Sequence, residues 1–267
     1  MRPSRVLKET RRGEVATVAK INISNPHVIE LCGLAGFSAV WICNEHIPTD
    51  WSMIEHCVRA AKIHDMDVIV RVAKGSYSDY IKPFECDASG IMVPHVTSAD
   101  EAKKVVDMCR FHPIGHRAVD GGNADGNYCQ HEPADYIRFS NEEKFIILQI
   151  ESPEGVAQAD AIASVPGFEF LLFGPGDYSQ QIGQYGKTHL PEVQEARRKV
   201  EEATAAHGKK GFAVGVPGPA DNLLPRGYVL TCLGADVLIL GSGFKSLVEN
   251  FRGGTVPSAR TYGQGSP

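Results

Sequence analysis

The run Phe145-Ile-Ile-Leu-Gln-Ile150 decides how the rest of the chain is read. It is too short for an ordinary helix and too continuously apolar to leave one face for water, so it is expected to be a strand buried on both faces, as in a parallel sheet. Runs of the same kind recur at Val15–Ile21, Ala39–Cys43, Val68–Val72 and Ile91–Val96 before it, and at Phe168–Phe173, Phe212–Val216 and Val237–Leu240 after it. Between them lie segments with helical spacing and start signals. Asp50 precedes Met53, Ile54, Cys57 and Val58, and Ser98-Ala-Asp-Glu101 has the form of a capping box. Glycines stand close to the start of most strands, at Gly36, Gly90, Gly167, Gly211 and Gly234, where a helix end turning into a sheet calls for a left-handed residue. Eight strands in strict alternation with helices, and no Gly/Pro/Ser-rich linker in mid-chain, favour one α/β domain, a (β/α)8 TIM barrel, over a doubly wound sheet.

The barrel is expected over residues 1–252, with 253–267 a polar tail that has little to bury. Residues 97–144 break the rhythm: they include Gly121-Gly-Asn-Ala-Asp-Gly-Asn127 and exceed what one helix and two turns use, so a cover for the active site or a subunit contact is expected there. The composition, 43% hydrophobic and 22% charged over 267 residues, is that of an ordinary soluble domain and excludes disordered and collagen-like chains. With 27 Lys+Arg against 32 Asp+Glu, the net charge of −5 gives no footprint for a polyanion, and nucleic acid is not an expected partner. No apolar run approaches the roughly 20 residues of a bilayer span, and the segment opening Met1-Arg-Pro-Ser-Arg5 lacks a secretory apolar stretch, so no membrane association is expected. The seven cysteines are odd in number, scattered and never spaced C-x-x-C, which argues against a disulfide framework or zinc ribbon and fits a reducing cytoplasm.

In such a barrel the reactive groups come from the C-terminal ends of strands. Those positions hold Glu45-His46 after the second run, Arg71 within the third, Glu151 after the fifth and Asp177 after the sixth. Two carboxylates on adjacent strands with no basic neighbour repel unless a cation lies between them. A divalent metal with open coordination positions, Mg²⁺ or Mn²⁺, answers that need better than a closed structural zinc site. Taken singly, each acid also has an ordinary structural reading: Asp177, ahead of Tyr178, suits a helix cap. Glu151 resists that reading, because Ser152-Pro153 behind it can supply cap and first turn. His46 alone fits a hydrogen-bonded structural histidine. Arg71, between Val70 and Val72, points to one face of its strand and needs an anion, either Glu45 or a substrate carboxylate. The amides of Gly174-Pro-Gly-Asp177 at a helix start can hold a carboxylate. Dinucleotide, P-loop, G-x-S-x-G and H-E-x-x-H motifs are missing. Lys20 and Lys74 near strand ends leave a Schiff-base mechanism open, though nothing beside them signals a depressed pKa.

Together, Glu45-His46, Arg71, Val93-Pro94, Leu148-Gln-Ile-Glu151-Ser-Pro-Glu-Gly155 and Phe173-Gly-Pro-Gly-Asp177-Tyr-Ser resemble the HpcH/HpaI aldolase family, over about Val15 to Phe251. The resemblance implies a barrel of the phosphoenolpyruvate/pyruvate-domain type with an extra or exchanged helix, assembled as a homohexamer. It implies reversible cleavage of a 4-hydroxy-2-oxo acid, of the 2-keto-3-deoxy type, to pyruvate and an aldehyde through a metal-stabilised pyruvate enolate. Glu151 and Asp177 would hold the divalent metal (Mg²⁺ or Mn²⁺, with Co²⁺ a further candidate), Gln149 would line the site, and Arg71 would meet the keto oxygen or enolate. His46 would be the acid/base, Glu85 falls where the family has an aspartate that reaches a neighbouring subunit's histidine, and amides around Gly176 and Asp177 would receive the pyruvate carboxylate. Two departures stand out: Cys43-Asn44-Glu45-His46 where the family commonly has Asp-Gly-Glu-His, and the acidic, glycine-rich Asp120–Asn127. Two other readings remain open. One is a citrate-lyase-like or malyl-CoA-type lyase on the same carboxylates, for which the acidic balance offers no CoA-binding surface. The other is a non-catalytic keto-acid-binding barrel that lost turnover through Cys43-Asn44.

Overall fold

Eight parallel strands close into one barrel in sequence order in a computed structural model that describes residues 1–216 and 218–253. The strands are β1 Ala16–Ile21, β2 Ala39–Cys43, β3 Asp67–Arg71, β4 Gly90–Val93, β5 Phe145–Ile150, β6 Phe170–Phe173, β7 Lys210–Ala213 and β8 Tyr228–Ala235, with β1 pairing β8 to close the ring. Period-two alternation divides each strand between two cores. Ala16, Val18, Ala39, Trp41, Ile69, Met92, Phe145, Ile147, Phe170, Leu172, Phe212 and Leu230 fill the interior. There Trp41 of β2 meets Phe212 of β7, ring centres 6.1 Å apart, across the barrel. The intervening residues, such as Val40, Ile42, Val68, Val70, Ile146, Leu148 and Leu171, pack outward against the helices. Continuing the inward series toward the strand C-termini brings up Lys20, Cys43, Arg71, Gln149 and Cys232, so an apolar plug is topped by a polar layer.

The other end of the barrel is closed. The helix Arg5–Arg11 sends Val6 and Leu7 into the interior cluster. Asp67, fully buried at the start of β3, accepts from Ser4 Oγ (2.6 Å), the Val6 amide (2.9 Å), Ser89 Oγ (2.9 Å) and Arg2 (2.6 Å). Access is left to the rim.

The eighth strand is not where the sequence placed it. Val237–Leu240 opens the helix Asp236–Arg252, while β8 is Tyr228–Ala235, whose Thr231, Cys232 and Gly234 dilute its apolar character. Asp236 explains the helix start: its carboxylate accepts from the Val237, Asn22 and Ile23 amides, turning the chain out of the sheet. Gly36 and Gly167 take the expected left-handed backbone, whereas Gly90, Gly211 and Gly234 lie inside strands. Gly90 serves close approach instead, since a Cβ there would stand 2.2 Å from the Phe145 ring. Ser98 Oγ caps the helix Ala99–Cys109, but Glu101 reaches back to the Thr97 amide rather than to Ser98, so the capping box is only half formed.

The long stretch 97–144 contains that helix and the helix Pro133–Glu143. The turn between them is fastened by Arg117 and Tyr136 to the buried Asp125, each at 2.8 Å, and by the Ala118 amide to Tyr77 Oη at 2.7 Å. Its anchors lie in the helix layer. Apart from Gly253, the tail 253–267 lies outside the described residues. Among the described residues no helix is long and apolar enough to cross a membrane.

Candidate active site

The strand ends of β2 and β3 form one side of the rim. Arg71 ends β3 almost fully buried, its Nε 2.9 Å from Glu45 Oε2, its Nη2 donating to Cys43 Sγ at 3.0 Å, and its guanidinium 4.9 Å from the Trp41 ring centre. The Nε–H does not point at the carboxylate, so Glu45 and Arg71 are ion-paired while Arg71 Nε and Glu45 Oε2 keep unused hydrogen-bonding capacity. Of the two anions the sequence offered Arg71, Glu45 is the one in place. Cys43 supplies a sulfur contact where the family's aspartate would have supplied a charge. His46 is 61% exposed, with Nε2 3.4 Å from Glu45 Oε2.

The opposite side is built by β5 and β6. Glu151 is 1% exposed; its Oε2 accepts from Gln149 Nε2 and its Oε1 from the His95 amide at 2.9 Å. Asp177 stands in the first turn of the helix Pro175–Gln181 within reach of Glu151. Gly174 occupies the cap position, and no side chain caps this helix, so the Asp177 carboxylate is not spent on capping. Ser152 accepts from the Gly155 amide at 3.0 Å and caps the following helix, which frees Glu151 as well. Gly174 is also sterically required, because a Cβ there would stand 2.7 Å from Glu151 Oε2 and 3.1 Å from Gln149 Nε2. Burial pushes Glu151 up to about 8; the His95 amide pulls the other way, and the Asp177 and Glu45 carboxylates add to the rise.

These residues fit a divalent cation. Among the described residues the two facing carboxylates have no Lys or Arg partner and the buried Gln149 Oε1 has no donor, so the site offers hard oxygen atoms short of positive charge. Among the described residues no third His, Cys, Asp or Glu completes a cage, which leaves positions for water and a chelating ligand.

His95, which sequence reasoning passed over, joins the two sides. Its Nδ1 is 3.3 Å from Glu151 Oε1 and its Nε2 3.4 Å from Glu45 Oε1, on a left-handed backbone at φ 53°. The available signal was its position directly after Val93-Pro94, at the end of a barrel strand. Glu85 is not brought to the rim within this chain. It ends the helix Tyr77–Glu85 in the helix layer, where burial, with Asp125 and Asp120 nearby, raises it above the usual carboxylate range against the pull of Arg117 and Lys82. Gly176 lies exposed beside Asp177, its carbonyl accepting from Ser179 Oγ at 2.7 Å. Lys74 is engaged with Glu101 at 2.6 Å and the His95 carbonyl at 2.8 Å, which removes it as a free amine.

The fold and rim define a barrel that gathers carboxylates, a guanidinium and histidines at its strand C-termini, the arrangement of an enzyme acting on a small oxyanionic substrate. The HpcH/HpaI aldolase/citrate lyase family model matches residues 20–238, and the chain belongs to that family as an aldolase-type carbon–carbon lyase. It is 30% identical over 96% of both chains to a hydroxypyruvate/pyruvate aldolase of Pseudomonas aeruginosa. It is likewise 30% identical to a 5-keto-4-deoxy-D-glucarate aldolase of Shigella sonnei, over 86% of this chain and 90% of that one. An HpcH/HpaI aldolase crystal structure from Desulfitobacterium hafniense superimposes with a TM-score of 0.86 at 26% identity, covering 96% of this chain and 98% of the other.

Proposed function

We propose that this aldolase holds a divalent cation, Mg²⁺ or Mn²⁺ with Co²⁺ as a further candidate, between Glu151 and Asp177 and reversibly splits a 4-hydroxy-2-oxo acid into pyruvate and an aldehyde. The observation that carries the reading is the buried Glu151 facing Asp177 with no Lys or Arg partner among the described residues, only the His95 imidazole 3.3 Å from its Oε1. When bound, the cation supplies Lewis-acid stabilisation of negative charge. Arg71, fixed by Glu45, Cys43 and Trp41, is a preorganised second positive group for the oxygen on which charge develops as the C–C bond breaks. His46, exposed and beside Glu45, takes the proton of the 4-hydroxyl, the general-base role an imidazole commonly fills. Gln149 orients Glu151, and the amides around Gly176 and Asp177 receive the substrate carboxylate.

Glu85, seated in the helix layer, meets such a histidine only in a neighbouring copy. The helix Asp236–Arg252 leaves Leu238, Phe244 and Phe251 between 63% and 83% exposed, which supports a homo-oligomer, the hexamer implied by the family resemblance. The protein works in the cytoplasm with no nucleic acid or membrane partner.

The test is pyruvate release from a panel of 4-hydroxy-2-oxo acids, coupled to lactate dehydrogenase, after EDTA stripping and again after adding Mg²⁺, Mn²⁺ or Co²⁺. Metal-restored pyruvate is expected. Tight metal binding with no pyruvate from any substrate overturns the reading in favour of a CoA-thioester lyase or a binding-only barrel.

A further inference from the structure

Four arginines are buried among the described residues, each no more than 5% exposed. Three have a carboxylate: Arg71 has Glu45 at 2.9 Å, Arg110 has Glu169 at 2.6 Å and Arg117 has Asp125 at 2.8 Å. Arg197, 3% exposed in the helix Pro191–Ala206, is the exception, with no carboxylate among the described residues within 4.0 Å. Its Nη1 and Nη2 both donate to one oxygen, the Val214 carbonyl, at 3.3 and 3.4 Å, and its guanidinium stands 5.5 Å from the Phe173 ring centre. Helical spacing would offer it Glu201, one turn further on, but that carboxylate accepts from Arg226 Nη2 and, at 2.7 Å, from Tyr228 Oη. A carbonyl and a ring hold a buried guanidinium in place without neutralising it, so its demand for an anion stays open.

Arg197 also borders a cavity of about 290 Å³ between its helix and the loop after β7. The other polar side chains around that space, Thr188, His189, Gln194 and Arg226, can all donate a hydrogen bond, and no lining residue is acidic. None of them belongs to the rim that holds Glu151, Asp177 and Arg71. We propose that this cavity is an anion site for a phosphate group, carried by a small metabolite or free in solution, with Arg197 as its bidentate donor and Arg226 and His189 completing the shell. The fork of a guanidinium matches two phosphate oxygens, and a second guanidinium beside it suits a dianion better than a single carboxylate. The volume is at the small end of ligand cavities, room for a headgroup and the few atoms attached to it. The site stands apart from the carbon–carbon bond chemistry and does not depend on which substrate the rim takes.

Calorimetry at constant ionic strength measures Kd of the Mg²⁺-loaded protein for inorganic phosphate, glycerol 3-phosphate and acetate, in wild type, Arg197→Met, Arg197→Lys and Arg71→Lys. Wild type is expected to bind both phosphates, and acetate roughly tenfold more weakly or less. The tighter of the two phosphates tells whether the occupant is free phosphate or a monoester. Arg197→Met, which keeps an apolar stem against Phe173, is expected to lose roughly 10- to 100-fold in phosphate affinity, as loss of a charge-assisted contact does. Arg197→Lys keeps the charge without the fork and recovers part of that loss. Arg71→Lys, changed only at the rim, keeps the wild-type affinity. In wild type the ring signals of His189 are expected to shift in the NMR spectrum as phosphate is added, a readout that stands even where an Arg197 variant does not fold. No phosphate binding by wild type, acetate bound as tightly as phosphate, unmoved His189 signals, or a loss in Arg71→Lys with none in Arg197→Met overturns the assignment.

Discussion

On the β2–β3 side of the rim a buried guanidinium has its carboxylate 2.9 Å away, whereas on the β5–β6 side two carboxylates face each other with no Lys or Arg partner among the described residues and only the His95 imidazole 3.3 Å from Glu151. The first side is complete within the chain; the second is electrostatically incomplete until something positive arrives. Removing a carboxylate should therefore have opposite effects on stability in the two places.

The largest contrast is expected from Glu151→Gln. Turnover should fall by more than about 1,000-fold, as loss of a group that stabilises charge in the reaction does, while the metal-free protein melts at the same or a higher temperature at neutral pH because a neutral amide replaces a buried carboxyl that must take up a proton on folding. Coupled pyruvate assays with scanning calorimetry check both; a large drop in melting temperature would mean that Glu151 is structural. The mirror substitution, Glu45→Gln, should cost about 3 kcal/mol by leaving Arg71 buried without its counter-ion, read as a lowered urea midpoint. A loss well under 1 kcal/mol would make the two sides alike.

A smaller effect separates them by pH. Glu151, pushed up to about 8, holds its proton in the metal-free folded state at pH values where the unfolded chain has lost it. Between about 4.5 and 8 the native state binds more protons, so this group's stabilisation is complete below about 4.5 and is lost as pH rises through about 8. Metal must displace that proton, so Mn²⁺ affinity should weaken by about tenfold for each pH unit below 8. Mn²⁺ titrations at pH 6, 7 and 8 measure the slope, and a flat profile would show Glu151 already ionised. The smallest effect is expected at the bridge between the sides: His95→Ala should cost about tenfold in metal affinity, because an outer partner of a ligand is lost while its backbone amide remains. Calorimetric Kd values for the variant decide it.

Most of this contrast was legible in the sequence, because strand ends are where a barrel displays chemistry and Glu45, His46, Arg71, Gln149 and Glu151 all sit at the ends of easily read apolar runs. Seven of the eight strands were found for the same reason. The eighth was misplaced because apolarity was taken as the signal: Val237–Leu240 is apolar yet largely exposed on a helix, and β8, interrupted by Thr, Cys and Gly, buries only part of its length, with Leu233 exposed. His95 was passed over although it directly follows Val93-Pro94 at a strand end, because its reach between the two sides of the rim depends on a left-handed backbone that no residue pattern encodes. Lys20 was noticed only as an amine; what distinguishes it, a place over the Trp41 ring with no carboxylate partner among the described residues, is a property of space and not of order along the chain.

Asp67 ties β3, the first helix and the β4 entry together at the closed end of the barrel, with no contribution from any rim residue. The molecule thus keeps its keel and its working deck apart. In a library of random variants, substitutions around Asp67 should appear as insoluble protein, and substitutions on the rim as soluble protein with altered or lost chemistry. That separation is what allows a barrel like this one to acquire a new acceptor without relearning how to fold.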